Sequence, residues 1–103
     1  MIPVNINNQS YFFSVARITK DYPDKFIYSV LLNVKTYYLS KTIGVNDCHQ
    51  LDDNPVLDGI VFNELCEILT EIEREYERKP SVDFINQQIF TILGRIRSTK
   101  FKN

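Results

Sequence analysis

This chain has few of the residues that most often carry catalysis or bind metals and phosphate. Its 103 residues include one histidine, two cysteines, three glycines and no tryptophan. There is no glycine-rich phosphate-binding loop, and neither a G-x-S-x-G nucleophile motif nor an H-E-x-x-H zinc motif occurs. The sequence therefore predicts a non-enzymatic protein with no catalytic residue, no bound metal and no cofactor.

An excess of one charge and long apolar runs are also missing. The formal net charge is -1, so the chain as a whole exerts no long-range attraction on a nucleic-acid backbone. No stretch approaches the roughly 18 consecutive apolar residues of a membrane span, and the first ten residues, MIPVNINNQS, do not resemble a secretory signal. We therefore expect a single domain over residues 1–103, in the cytoplasm and not associated with a membrane.

The two cysteines, Cys48 and Cys66, are too few for the disulfide framework of a small secreted domain. We therefore expect two reduced thiols. Cys66 lies between Leu65 and Glu67 at the edge of an apolar helical stripe, where a cysteine usually packs as a small hydrophobic residue.

The first half of the chain has the two-residue periodicity and the turn signals of a β-meander. The segments IPVNIN, SYFFSVARITK and FIYSVLL are each predicted to form a strand, and NNQ and DYPDK are predicted to form the turns between them. An unbroken strand from Phe26 to Ile43 would exceed the usual length of about 3 to 10 residues. We therefore place a turn near residues 33–35 and a further strand after it.

The second half changes to the period of a helix. Apolar residues recur at spacings of three and four along two stripes: Leu57, Val61, Leu65, Ile68, Ile72 and Tyr76 in the first, and Val82, Ile85, Ile89, Ile92, Leu93 and Ile96 in the second. Pro80 ends the first helix, and Ser81 is a suitable N-cap for the second. The predicted fold class is α+β: a small antiparallel meander of three to four strands followed by two C-terminal helices packed on one face.

The segment NDCHQLDDNP, residues 46–55, contains the one histidine among three aspartates. A metal site formed by Asp47, Cys48 and His49 is one interpretation, and a Cys-His nucleophilic pair is another. Structural zinc sites use paired ligand spacings that are missing here, and adjacent residues of an extended segment point in opposite directions. An N-cap at Asn54 also explains the acidic residues, because carboxylates are stabilised at the start of a helix. We predict a loop that leads into a capped helix.

Two charged segments need an interpretation. EIEREYERK, residues 71–79, has favourable pairs of opposite charge at helical spacing, and we predict a solvated helix end. The C-terminal tail carries positive residues that could contact phosphate: Arg95, Arg97, Lys100 and Lys102. A small dimeric nucleic-acid-binding regulator that uses this tail is the alternative function.

The predicted strands have apolar residues on both faces. If the helices cover one face, the other face needs a partner, and a second copy of the chain is the simplest one. We assign five residues to this interface: Tyr11, Phe13, Val15, Ile27 and Leu31. The predicted function is a protein-interaction module, a homodimer or a complex with another protein, that associates through the open face of its sheet.

Overall fold

A computed structural model describes residues 2–6, 8–51 and 57–101, except for the side chains of Ile2 and of residues 97–101. The described strands are β1 (Ile2–Ile6), β2 (Gln9–Asp21), β3 (Lys25–Leu32), β4 (Lys35–Thr42) and β5 (Cys48–Gln50), and the described helices are α1 (Gly59–Arg78) and α2 (Val82–Phe101). Each strand is antiparallel to the next, and their order in the sheet is their order in the chain. The predicted α+β meander with two C-terminal helices is confirmed, with β5 as an additional strand.

The turn between β3 and β4 is where the sequence predicts it. Asn33 follows β3 and adopts the left-handed conformation, with φ of 58°. Asparagine tolerates this conformation better than most other residues do. The Asn33 backbone N–H donates to the Phe12 carbonyl at 2.7 Å, and its side-chain oxygen accepts from the Phe12 N–H at 3.0 Å. The turn residue therefore also holds the end of β3 against β2.

The first helix begins later than predicted. Asp58 is its N-cap, and the Asp58 carboxylate accepts from the Ile60 N–H at 3.0 Å. The predicted cap at Asn54 lies outside the described residues. At the other end the prediction holds, because α1 stops before Pro80 and the Ser81 hydroxyl caps α2 by accepting from the Phe84 N–H at 3.2 Å.

A β-bulge in β2 decides which residues of that strand enter the core. The pairing with β3 shifts between Val15 and Arg17, so that Ala16 is an additional residue. The bulge moves the inward positions from odd to even numbers, and Phe13, Val15 and Ile18 are all buried on one face.

Both helices pack on that face. The Asn86 side chain of α2 accepts from the Val15 N–H at 2.9 Å and donates to the Val15 carbonyl at 3.0 Å, next to the end of β1. The Tyr76 ring of α1 meets the Phe26 ring of β3 edge to face, with centroids 5.7 Å apart. Helix α2 therefore contacts the β1–β2 side of the sheet, and α1 contacts the β3–β5 side.

Candidate interaction surface

The residues predicted to form an interface do not share one face of the sheet. Phe13 and Val15 are 0% and 2% exposed beneath the helices, and Tyr11 packs against the same core. Ile27 and Leu31 lie on the opposite, open face and are partly exposed. The assignment of Tyr11, Phe13 and Val15 to the open face is therefore wrong, because the bulge at Ala16 places Ile18 with Phe13 and Val15 instead of with Phe12.

The open face has its own set of apolar residues. Phe12, Tyr38 and Leu51 are 54%, 43% and 55% exposed, and they lie on the same side as Ile27 and Leu31. We call these five residues, Phe12, Ile27, Leu31, Tyr38 and Leu51, the open-face patch. Sequence analysis missed three of them, because alternation across β2 is broken by the bulge and Leu51 follows a strand that was not predicted.

The register of the strands shows that the patch is continuous. Tyr38 lies opposite Ser29 on β3, which places its ring diagonally between Ile27 and Leu31. Leu51 donates its N–H to the Tyr38 carbonyl at 2.8 Å and so extends β5 beside Tyr38. Ser14 of β2 pairs with Leu31, and Phe12 lies two residues before Ser14 on the same face of the strand. Phe12 is therefore a diagonal neighbour of Leu31. The apolar side chains therefore form a diagonal band across β2, β3, β4 and the end of β5.

Small hydroxyl residues fill the spaces between these side chains. Ser29 and Ser40 are 9% and 7% exposed although they lie on the face that the helices leave open, because larger neighbours cover them. The charged residue Arg17 lies beside the patch, in the same row of the sheet as Ser29. The patch itself contains no charged residue, and Arg17 is at its margin.

Among the described residues, neither edge of the sheet offers a long template for strand addition. The N–H and the carbonyl of Phe12 both bond to Asn33, on the β3 side of β2. Pro3 of β1, which pairs with Phe12, therefore directs its backbone away from β2 and toward solvent. At this position an added strand would find no N–H, because proline has none. At the other edge β5 has three residues. Short edge strands and edge prolines are the usual means of blocking sheet-to-sheet pairing, so the open face is the more suitable contact surface.

Cys48 and His49, two of the residues considered for a metal site or a nucleophilic pair, do not form such a site in the structure. Cys48 of β5 and Cys66 of α1 are joined in a disulfide, with Cα atoms 5.8 Å apart. The expectation of two reduced thiols is wrong, because β5, which was not predicted, brings Cys48 beneath the helix. His49 points to the open face and is exposed, and no cluster of three potential metal ligands occurs among the described residues. The cytoplasmic location stays a prediction, and the cysteines no longer favour it, because disulfides are rare in cytosolic proteins.

The disulfide also lies along the wall of an open groove of about 1180 Å³ between α1, the end of α2 and the segment before β5. Two cations of this groove are paired within the protein. Arg74 contacts Glu71 at 3.1 Å, and Arg95 contacts Glu75 at 2.8 Å. The groove therefore has a mixed lining whose arginines bind neighbouring carboxylates.

The basic tail predicted to contact nucleic acid is partly engaged inside the protein. Arg95 shares the Glu75 carboxylate with Arg78, and Glu75 itself is 2% exposed. The side chains of Arg97 and Lys100 and the whole of Lys102 lie outside the described part of the structure. The prediction of a solvated helix end at residues 71–79 is wrong for two of its glutamates, because Glu75 binds α2 and Glu73 binds the sheet.

Glu73 belongs to a buried polar cluster between α1 and β4. Lys41 donates to the Glu73 carboxylate at 2.9 Å, with the lysine side chain fully buried, and the second carboxylate oxygen accepts from the Gly44 N–H at 3.1 Å. Nearby, the buried Tyr28 hydroxyl has no hydrogen-bond partner among the described residues. Burial raises the pKa of Tyr28 far above its ordinary value, and the negative charge of Glu73 raises it further. This cluster is enclosed, so we assign it to stability and not to ligand binding.

The described helices include none that is long and apolar enough to span a membrane. Comparisons of the chain with protein-family models, with curated proteins and with solved structures found no match.

Proposed function

We propose that this protein is a non-enzymatic interaction module that self-associates through the open-face patch. The observation that carries the proposal is the exposure of Phe12, Tyr38 and Leu51 in one continuous band on the face opposite the helices. Scattered apolar residues on a surface are ordinary, whereas a contiguous band with an aromatic residue at its centre is typical of an association site.

A second copy of the chain suits this surface for two physical reasons. The patch is uncharged and lies on a sheet, so two copies related by a two-fold axis bring apolar side chains together without opposing like charges at the centre. Serine and threonine between the large residues leave room for the side chains of the second copy to interdigitate, as they do between packed sheets about 10 Å apart.

The solution mass of the protein, measured by light scattering over a range of concentrations, tests this proposal. We expect wild type to reach twice the monomer mass. The double substitution Phe12→Glu and Tyr38→Ser places a charge and a cavity in the contact, and we expect it to weaken association at least about 100-fold, as loss of central aromatic contacts typically does. Circular dichroism should show that the variant keeps its fold.

Phe90→Glu is the matched control. Phe90 is 62% exposed on α2, which packs on the opposite face of the sheet, and the same substitution there should leave the mass unchanged. A wild-type monomer at every concentration would contradict the proposal. So would equal loss of association in the Phe90 variant, since any new surface charge would then be sufficient.

The nucleic-acid alternative remains a prediction with a simple test of its own. Binding through the tail should weaken steeply with salt, and removing Lys100 and Lys102 should reduce that dependence. The ion pair between Arg95 and Glu75 takes one of the four predicted contacts out of such a surface.

A further inference from the structure

The one histidine of the chain lies at the margin of the open-face patch. His49 of β5 is exposed and pairs with Ser40 of β4, and Ser40 pairs with Ile27 of β3, so the three residues form one row on this face. Leu51 follows His49 by two residues on the same face, and Tyr38 is its diagonal neighbour on β4. The imidazole therefore has three of the five patch residues as neighbours.

The other charged groups around His49 belong to residue types that keep their charge near neutral pH. On the sheet side of His49 these groups come from β2, β3 and the segment before β5: Arg17, Asp21, Lys25 and Asp47. On the helix side they come from β4, α1 and α2: Lys41, Glu67, Glu71, Glu73, Arg74 and Arg95. Carboxylates ordinarily titrate near pH of about 4, and tyrosine, lysine and arginine at about 10 or above. Histidine ordinarily changes its charge between pH of about 5 and 8, so among the described residues His49 is the side chain beside the patch that does so.

We propose that His49 makes self-association through the open-face patch sensitive to pH, with the dimer favoured while the imidazole is neutral. This inference rests on the proposed function. A second copy that covers Leu51 and Tyr38 also removes water from the His49 side chain beside them. A neutral imidazole loses little by this, whereas an imidazolium loses the hydration of a charge, and each dimer contains two of them. The monomer therefore binds protons more strongly than the dimer, and acid favours the monomer.

Proton linkage sets the size of the effect. Dissociation of one dimer allows two imidazoles to bind protons, and each bound proton can raise the dissociation constant Kd by up to about tenfold per pH unit. Because His49 lies at the margin of the patch, water is only partly excluded from it, and the total is smaller than this limit. We expect the Kd of wild type to rise by at least about tenfold between pH of about 7.5 and about 5.5.

Sedimentation equilibrium at these two pH values tests the regulation, with circular dichroism to show that the fold is retained. His49→Gln replaces the imidazole with a neutral amide and should give the same Kd at both pH values. His49→Lys carries a positive charge at both, so it should associate as weakly at the higher pH as wild type does at the lower. The double variant His49→Gln and Gln87→His is the matched control. Gln87 is exposed on α2, which packs on the opposite face, so a histidine there should not restore the pH dependence.

The outcomes separate this regulation from self-association itself. A wild-type dimer with the same Kd at both pH values would overturn the role of His49 and leave the proposed function in place. An equal rise of Kd in His49→Gln would overturn it too, because other groups would then carry the pH dependence. A wild-type monomer at every concentration, at the higher pH as well as the lower, would overturn both proposals together.

Discussion

The ion pair between Lys41 and Glu73 gives a quantitative test of the core. At 2.9 Å the two charges attract by about 6 kcal/mol if the effective dielectric constant is about 20. Lys41→Met removes this attraction and leaves the Glu73 carboxylate, 7% exposed, with a hydrogen bond from the Gly44 N–H. Since the desolvation cost of the lysine is removed as well, we expect a net loss of about 3–5 kcal/mol in the free energy of unfolding.

Urea denaturation followed by circular dichroism measures this loss. With an m-value of about 1–3 kcal/mol per molar urea, the midpoint should fall by roughly 1–5 M and the slope should stay the same. The double variant Lys41→Met and Glu73→Leu should recover most of the lost stability, because it replaces two buried charges with apolar groups of similar size. Arg74→Met is the control, since the exposed pair of Arg74 with Glu71 contributes at most about 1 kcal/mol.

Two results would refute the reasoning. A loss below about 1 kcal/mol for Lys41→Met would mean that the unpaired Glu73 reaches water, contrary to its burial between α1 and β4. A double variant no more stable than Lys41→Met would mean that the site cannot accept apolar side chains, and that the ion pair is required by the shape of the core.

Three further variants test other buried contacts. Tyr28→Phe removes a buried hydroxyl that has no partner among the described residues and should stabilise the domain by about 1 kcal/mol, measured as a higher urea midpoint. The pKa of Tyr28 is raised in the folded state, so above a pH of about 10 the unfolded chain loses this proton while the folded protein keeps it. The free energy of unfolding of wild type should therefore fall as the pH rises above about 10. The fall should be steeper than that of Tyr28→Phe by up to about 1.4 kcal/mol per pH unit. Asn86→Ala breaks both hydrogen bonds to Val15 and should cost about 1–3 kcal/mol in the same assay; a cost near zero would mean that water replaces the amide. The double substitution Cys48→Ser and Cys66→Ser opens a covalent loop with a sequence separation of 18. It should lower the free energy of unfolding by about 3 kcal/mol, measured as a lower thermal midpoint. An unchanged midpoint would show that the unfolded chain gains no conformational freedom when the disulfide is removed.

Local patterns in the sequence were sufficient for most of the fold. The turn at Asn33, the helix end before Pro80 and the cap at Ser81 depend on neighbouring residues, and all three were predicted correctly. The apolar stripes of α1 and α2 were predicted by their period, because helices that pack on a sheet bury one continuous side.

Contacts between distant segments could not be predicted in this way. The bulge at Ala16 changes the inward parity of β2 without any glycine or proline to mark it, and this placed Phe13 on the wrong face. Lys41 occupies an inward position of β4 and binds Glu73, which lies 32 residues further along the chain. A three-residue strand such as β5 is too short to show a period, so the partner of Cys48 was not evident either.

The two blocked edges of the sheet set an upper limit to the size of an assembly. A molecule that associates through its open face has one such face, and a second copy that covers it leaves none for a third. Pairing through free edges would instead continue from chain to chain and produce fibres. With Pro3 on β1 and a three-residue β5 at the other side, growth by edge pairing is opposed at both ends. Association of this protein should therefore saturate at a fixed stoichiometry as its concentration rises.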